Sequence, residues 1–195
     1  MSKLELEDEK AKQYVGVINE KAITLKRLIE DLVEASKAST GNIKIEKVNL
    51  NLHEIALQTV GEYADELEKR GLEVVVNEPP QAVIVSADSR QTWWIIENLL
   101  SNVKKYAMKG TRVYIDLRRL GAFGVFEIKN VSETPLNIPP EELTQRFVRG
   151  DASRTTEGSG LGLSIARSLC ELQGGRFEIA IDGDLFKVSV ALPLV

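Results

Sequence analysis

The chain has 195 residues, of which 43% are hydrophobic, and its 25 basic and 29 acidic residues give a net charge of −4. A chain of this length can bury one sizeable hydrophobic core. It contains no run of basic residues that could bind along a nucleic-acid backbone, so we do not expect nucleic acid as a partner. One cysteine, Cys170, excludes a disulfide framework. No apolar run approaches the roughly 18 residues that span a bilayer, so we expect this fragment to be cytoplasmic.

Residues 14–39 show a helical pattern in which Ile18, Leu25 and Leu32 lie on one face with further apolar positions beside them. Such a broad face is typical of a four-helix bundle, which one long helix can complete only with partner helices. A helix packed on its own domain is the alternative. Gly41 is predicted to end this helix, so we divide the chain into residues 1–41 and residues 42–195.

Beyond Gly41, strand and helix patterns alternate. Strands are predicted at 43–48, 72–76, 82–88, 112–120, 124–130 and in a hairpin over 176–193. Helices are predicted at 52–70, 88–107, 139–143 and 161–172. Adjacent strands with several helices predict an α+β fold in the form of a two-layer α/β sandwich, preceded by the one long helix.

The segment ENLLSNVKKYA places Asn98, Asn102 and Lys105 on one helix face, within about 60° of one another. Asparagine is a poor helix former, so two asparagines one turn apart favour a chemical role over the alternative of a solvated surface. Neutral amide oxygens suit Mg²⁺, which takes its charged partners from phosphate, and a nearby lysine can neutralise those phosphates.

The segment RFVRGDASRTTEGSGLGLSIARSL places Gly158, Gly160 and Gly162 before a helix. Glycines let backbone N–H groups approach an anion, and a helix N-terminus favours negative charge, so the pattern predicts a phosphate cradle. Arg149 and Arg154 add guanidinium groups, each of which can donate two hydrogen bonds to phosphate oxygens. The segment lacks the lysine ending of a Walker loop and the preceding strand of a dinucleotide fingerprint. An ordinary flexible helix entry is the alternative.

Together these motifs resemble those of sensor histidine kinases. ENLLSNVKKYA is similar to the N box, RFVRGD to the F box and GSGLGLSIA to the second glycine box, in the family's order and spacing. LKRLIEDLVEASK resembles the second helix of the dimerisation domain that precedes the ATP-binding domain, so the likeness extends over nearly the whole chain.

The resemblance implies a Bergerat-type ATP-binding sandwich of the gyrase and histidine-kinase superfamily, with ATP and Mg²⁺ as ligands and residues 149–160 as a lid. By matching positions, Asn102 would ligate Mg²⁺, while Asn98 and Lys105 would be catalytic through their support of the metal and phosphates. Phe147 would support the lid. The full set of implied ATP-binding residues is Asn98, Asn102, Lys105, Tyr106, Asn130, Phe147, Arg149, Arg154, Gly158, Gly160, Leu161 and Gly162.

The sequence departs from the family at the first glycine box. After the strand GVFEIK the chain continues NVSETP, which puts Asn130 where the family has an aspartate. The resemblance implies that this residue accepts a hydrogen bond from the adenine amino group. An asparagine oxygen can do so as a neutral, weaker acceptor. An ordinary residue at the end of a strand is the alternative.

A second departure concerns the phosphoacceptor. The one histidine, His53, lies at the start of the helix LHEIALQTV and not in a dimerisation helix. We therefore expect the acceptor to lie on a helix missing from this chain, in a membrane-anchored parent kinase that dimerises through the long helix. The parent is expected to pass phosphate to the receiver domain of a response regulator.

Three other functions are compatible with parts of the sequence. An ATPase of this superfamily would carry a general-base glutamate one turn before Asn102, where this chain has Asn98, so hydrolysis is disfavoured. An anti-sigma type serine kinase is disfavoured by the helix at 14–39. A degenerate nucleotide-binding scaffold that signals by partner contact is favoured by Asn130.

Overall fold

A computed structural model describes residues 10–19, 21–23, 25–26, 29, 32–33, 43–144 and 160–195. The described residues before 34 are helical and exposed, and together they are called α1. Nine of them are large hydrophobic residues: Tyr14, Val15, Val17, Ile18, Ile23, Leu25, Ile29, Leu32 and Val33. The predicted helix is confirmed for these residues. None of the helices in the described ranges is long and apolar enough to cross a bilayer.

The rest of the described chain forms seven strands and four helices. In chain order they are β1 (Val48–Asn51), α2 (Leu52–Lys69), β2 (Glu73–Asn77), β3 (Ile84–Ala87), α3 (Ser89–Tyr106), β4 (Arg112–Leu120), β5 (Phe123–Val131), α4 (Pro140–Leu143), α5 (Gly162–Leu172), β6 (Arg176–Asp182) and β7 (Leu185–Pro193).

Five strands form one sheet in the order β2-β4-β5-β7-β6, in which β2 is parallel to β4 and the other pairs are antiparallel. Buried residues alternate along β4, where Val113, Ile115 and Leu117 face the core. The core on this face combines residues of the sheet with residues of α2, α3 and α5. The predicted two-layer α/β sandwich is therefore confirmed.

The first strand lies later than the sequence predicts. Residues 43–47 are not a strand, and β1 begins at Val48, which pairs with Ala87 of β3. The Asp88 side chain competes with strand pairing here, because its Oδ2 atom accepts a hydrogen bond from the Glu46 N–H at 2.9 Å. The segment before β1 is therefore fastened to the beginning of α3.

Helix α2 ends in a motif that fixes the residue after it. Gly71 has a φ of 69°, its N–H donates to the Glu68 carbonyl, and the Leu72 N–H donates to the Leu67 carbonyl. These two bonds form a Schellman motif, and the buried pair Leu67 and Leu72 supplies its usual apolar contact. Arg70 is consequently held as the C-cap of α2.

The beginning of α3 and the end of α5 are joined through one buried side chain. Gln173 is fully buried, its Oε1 accepts the Asp88 N–H at 2.7 Å, and its Nε2 donates to the Leu169 carbonyl. Cys170 nearby is also buried, and burial raises the pKa of its thiol to about 12. Cys170 is therefore an unreactive residue of the core.

The face of the sheet away from the helices carries a charge network. Glu127 of β5 is nearly buried and accepts hydrogen bonds from Arg118 at 3.0 Å and from Ser189 at 2.9 Å. Lys129 and Lys187 lie 3.6 Å and 4.0 Å from its carboxylate oxygens. Burial alone would raise the pKa of Glu127, but these bonds and charges outweigh it and lower the pKa below its usual value.

Candidate functional site

Helix α3 separates a polar face from an apolar face as the sequence predicts. Its apolar residues Ile96, Leu99, Leu100 and Val103 are buried in the core. Asn102 and Lys105 are partly exposed on the opposite side, in the last two turns of the helix. The polar side of α3 is therefore one wall of the candidate site.

Asn98 is buried, contrary to what a solvated helix face requires. Its Nδ2 donates to the Trp94 carbonyl at 2.9 Å, and its Oδ1 faces the first residue of α5. A Cβ atom added to Gly162 would lie 2.8 Å from that Oδ1. Gly162 thus leaves room for the Asn98 amide where the beginning of α5 meets α3.

Asn102, one turn later, has a different environment. Its Nδ2 is buried and has no hydrogen-bond partner among the residues that the structure describes. A buried donor left unpaired costs about 1–3 kcal/mol, so its position indicates a ligand. The amide oxygen is a suitable Mg²⁺ ligand, and the amide N–H groups can donate to phosphate, so this residue fits a magnesium-bound phosphate.

Asn130 lies near the end of β5 and is buried. Side chains alternate along a strand, so Asn130 points to the same side as Phe126 and Ile128. Both of these are buried in the core, which places the Asn130 side chain on the face of the sheet that the helices cover. Its Nδ2 donates to the Val131 carbonyl at 3.1 Å. That bond leaves Oδ1 as the atom available to accept a hydrogen bond from a base.

The end of α3 is bonded to the end of β5, which brings these two polar regions together. The Met108 N–H donates to the Val131 carbonyl at 2.9 Å, and the Glu133 N–H donates to the Tyr106 carbonyl at 2.8 Å. Ala107 and Ser132 form a bridge between the two bonds. Lys105 and Tyr106 are therefore fixed next to the strand end that carries Asn130.

The described part of the second glycine box supplies the entry to α5. Gly160 has a φ of 67°, which favours glycine, and Leu161 occupies the N-cap position. The Leu161 carbonyl accepts the Ile165 N–H and the Ser164 hydroxyl, so the first turn is well formed. The apolar side chain of Leu161 cannot cap the helix, which leaves its positive end oriented for an anion.

Four predicted residues fall outside the residues that the structure describes. They are Phe147, Arg149, Arg154 and Gly158, and most of the predicted lid at 149–160 falls there with them. The structure describes the other eight predicted nucleotide-binding residues, which lie on α3, at the end of β5 and at the beginning of α5.

Sequence patterns did not predict that Arg70 lies at this site. Arg70 donates from Nη1 to the Lys105 carbonyl and from Nη2 to the Ala107 carbonyl, both at 3.2 Å. Its Nη2 also lies 2.9 Å from the Glu133 carboxylate. Gly71 identifies Arg70 as a helix end, but no local signal shows that it reaches the end of α3.

The chain matches a family model described as histidine kinase-, DNA gyrase B-, and HSP90-like ATPase over residues 87–195, which is more than half of its length. Among curated proteins it is 32% identical to the sensor protein KdpD of Clostridium acetobutylicum, covering 95% of this chain and 21% of that protein. It is 30% identical to the histidine protein kinase DivJ of Caulobacter vibrioides, covering 94% of this chain and 31% of that protein.

The full-length structure of ShkA in complex with AMPPNP has the same fold. The TM-score is 0.77 at 19% identity, and the match covers 94% of this chain and 39% of that chain. Since the matched region is under a third of the length of KdpD and DivJ, the likeness describes one part of such proteins. The chain thus belongs to the histidine kinase-, DNA gyrase B-, and HSP90-like ATPase family, as the ATP-binding catalytic region of a sensor histidine kinase.

Proposed function

We propose that this chain binds ATP with Mg²⁺ between the polar face of α3, the beginning of α5 and the end of β5, and presents the γ-phosphoryl group to a histidine of its parent kinase. The observation that carries the proposal is the buried Nδ2 of Asn102, which has no hydrogen-bond partner among the residues that the structure describes. The AMPPNP in the ShkA complex supports the same type of ligand.

In this proposal each part of the site has one task. Asn102 ligates Mg²⁺, Lys105 and Tyr106 contact the phosphates, and Asn98 supports them from beneath. Asn130 accepts a hydrogen bond from the adenine amino group through Oδ1. The backbone of Gly160, Leu161 and Gly162 faces the phosphates, and Phe147, Arg149, Arg154 and Gly158 support or contact them from the lid, as the resemblance implies.

Phosphoryl transfer depends mainly on how the reacting groups are positioned and on how the charge of the phosphates is neutralised. Bound Mg²⁺ neutralises negative charge on the phosphates, and the transfer itself needs little covalent help from protein. The residues of this chain hold the nucleotide, orient its terminal phosphate and exclude water. Asn98 is an amide whose Nδ2 is already bonded to the Trp94 carbonyl, so it cannot serve as a general base for water. Hydrolysis is therefore expected to be slow.

We infer that the acceptor histidine lies outside these residues. His53, the one histidine, is in the first turn of α2, and its Nε2 lies 3.4 Å from the Glu78 carboxylate. Residues 1–41 are proposed as the second helix of a dimerisation domain and residues 42–195 as the ATP-binding domain. The exposed apolar residues of α1 support a homodimer of the parent.

The parent kinase is proposed to work in two steps. An imidazole nitrogen attacks the γ-phosphorus, the bond to the bridging oxygen breaks, and ADP leaves. The phosphoryl group then passes to the receiver domain of a response regulator. This region would act in the cytoplasm, where ATP is present, while the parent is anchored in the membrane.

Phosphate labelling tests this function. With γ-labelled ATP, the present chain should remain unlabelled, whereas a protein extended in cis by a histidine-bearing dimerisation helix should gain phosphate that is labile in acid and stable in base. Label on the present chain that disappears in His53→Ala would overturn the proposal. An extended protein that binds ATP yet gains no label would favour a nucleotide-binding scaffold without kinase activity.

A further inference from the structure

The C-terminal end of α3 is stabilised from outside the helix. The last carbonyls of a helix have no partner within it. Here the Lys105 and Ala107 carbonyls accept hydrogen bonds from the two terminal nitrogens of Arg70, each at 3.2 Å. The Tyr106 carbonyl between them accepts the Glu133 N–H. A cation at this position also interacts favourably with the helix dipole.

The same guanidinium holds the segment that follows β5. Its Nη2 lies 2.9 Å from the Glu133 Oε2 atom, and Glu133 comes three residues after Asn130. The Arg70 side chain is 23% exposed, so these contacts are partly shielded from water. One side chain of α2 therefore bonds to the helix that carries Asn102 and Lys105 and to the segment that follows Asn130.

Arg70 is well suited to hold the end of α3 and the segment after β5 in a fixed arrangement. The Schellman motif at Gly71 holds its backbone, and the planar guanidinium presents several donors in a fixed geometry. A lysine has a single flexible ammonium, which cannot reproduce that geometry. The side chain thus adds bonds to the junction where the end of α3 meets the segment after β5.

We propose that Arg70 is a positioning residue that, together with the backbone bonds between the end of α3 and the end of β5, holds the phosphate half of the nucleotide site, on α3, in place relative to the base half, at Asn130. This inference rests on the proposed function. The proposed site assigns Arg70 no contact with the nucleotide or Mg²⁺, and this residue lies outside the three motifs that resemble the family's boxes.

A residue that positions the two halves relative to each other affects only ligands that contact both halves. The ATP analogue AMPPNP with Mg²⁺ contacts both, adenosine contacts the base half, and pyrophosphate with Mg²⁺ contacts the phosphate half. Arg70→Gln should weaken AMPPNP binding about tenfold while changing the affinity for adenosine or pyrophosphate less than about twofold. A role in general stability would not separate the three ligands.

The test compares variants of the whole chain by calorimetry for AMPPNP and by NMR titration for the two weaker ligands. Arg70→Lys retains the charge and should recover part of the loss. Arg119→Gln is the matched control, because the Arg119 side chain also donates to a carbonyl, that of Ala82, outside the site. Thermal unfolding checks that each variant is folded.

If Arg70→Gln does not fold, Glu133→Gln keeps the inference testable. It removes one contact of Arg70 and should weaken AMPPNP binding about threefold, with the affinities for adenosine and pyrophosphate unchanged. Unchanged AMPPNP affinity in the folded Arg70 variant, or in Glu133→Gln where that stands in for it, would overturn the inference, as would equal losses for all three ligands. A wild-type chain that binds no AMPPNP would instead overturn the proposed function, and the inference with it.

Discussion

Two asparagines one turn apart on α3 have different environments in the structure. Asn98 is buried where Gly162 of α5 meets α3, while Asn102 has a buried donor without a partner in the described part of the chain. The spacing in the sequence predicts their shared face. It does not distinguish them, because the difference depends on where α5 packs.

The contact at Gly162 makes a specific prediction about stability. In Gly162→Ala the new Cβ would lie 2.8 Å from the Asn98 Oδ1 atom, so either the buried Asn98 amide or α5 must move. We expect a loss of about 1–3 kcal/mol in the free energy of unfolding, as is typical of overpacking, and weaker nucleotide binding. Urea unfolding measures the first effect and calorimetry the second.

The matched control is Gly61→Ala, in the interior of α2, where an added Cβ meets no atom within 4 Å in the described part of the chain. Alanine is the better helix former by about 1 kcal/mol, so this change should be neutral or stabilising. If both variants behave alike, the contact between Gly162 and Asn98 does not constrain the helices.

At the scale of secondary-structure elements, strands β4, β5 and β7 are joined on the open face of the sheet by the charges around Glu127. The pKa of Glu127 is lowered in the folded chain, chiefly by the bonds from Arg118 and Ser189, which outweigh burial. Such a carboxylate contributes stability above its unfolded pKa, and that contribution is lost as the pH falls through the folded value.

We therefore predict that Glu127→Gln lowers the free energy of unfolding by about 1–3 kcal/mol at pH 7, because it removes hydrogen bonds to a charged group. The difference in the free energy of unfolding between this variant and wild type should shrink once the pH falls below 4.5, the ordinary pKa of this carboxyl group. Denaturant unfolding at several pH values measures it. Glu178→Gln, at an exposed position of β6, is the control, and a difference independent of pH would contradict the account.

Most element boundaries follow from the sequence because their signals are local. Strand β4, Arg112–Leu120, agrees with its predicted range since alternation and a following glycine turn define it. The strand predicted at 43–48 is wrong because Asp88, from a distant segment, binds the Glu46 N–H. Arg70 could not be predicted for the same reason, since its acceptors lie on another helix and beyond β5.

At the scale of the whole molecule, the segment ENLLSNVKKYA on α3 and the beginning of α5 are far apart in the sequence and come together because α3 and α5 pack against each other on one sheet. The family likeness predicts this arrangement, and the described residues of α3, α5 and β5 agree with it. The residues of α1 expose a broad apolar face, which a helix of a dimerisation bundle requires. The lid residues Phe147, Arg149, Arg154 and Gly158 remain predictions.

Calorimetric titration with AMPPNP, in Mg²⁺ and in EDTA, tests whether this chain binds the nucleotide together with Mg²⁺. Binding to the wild-type chain should be stronger in Mg²⁺, and Asn102→Ala should lose about tenfold in affinity in Mg²⁺ with little change in EDTA. Asn49→Ala, at an exposed position of β1, should match wild type. Equal losses for Asn102→Ala in both conditions, or no binding to the wild-type chain, would contradict the account.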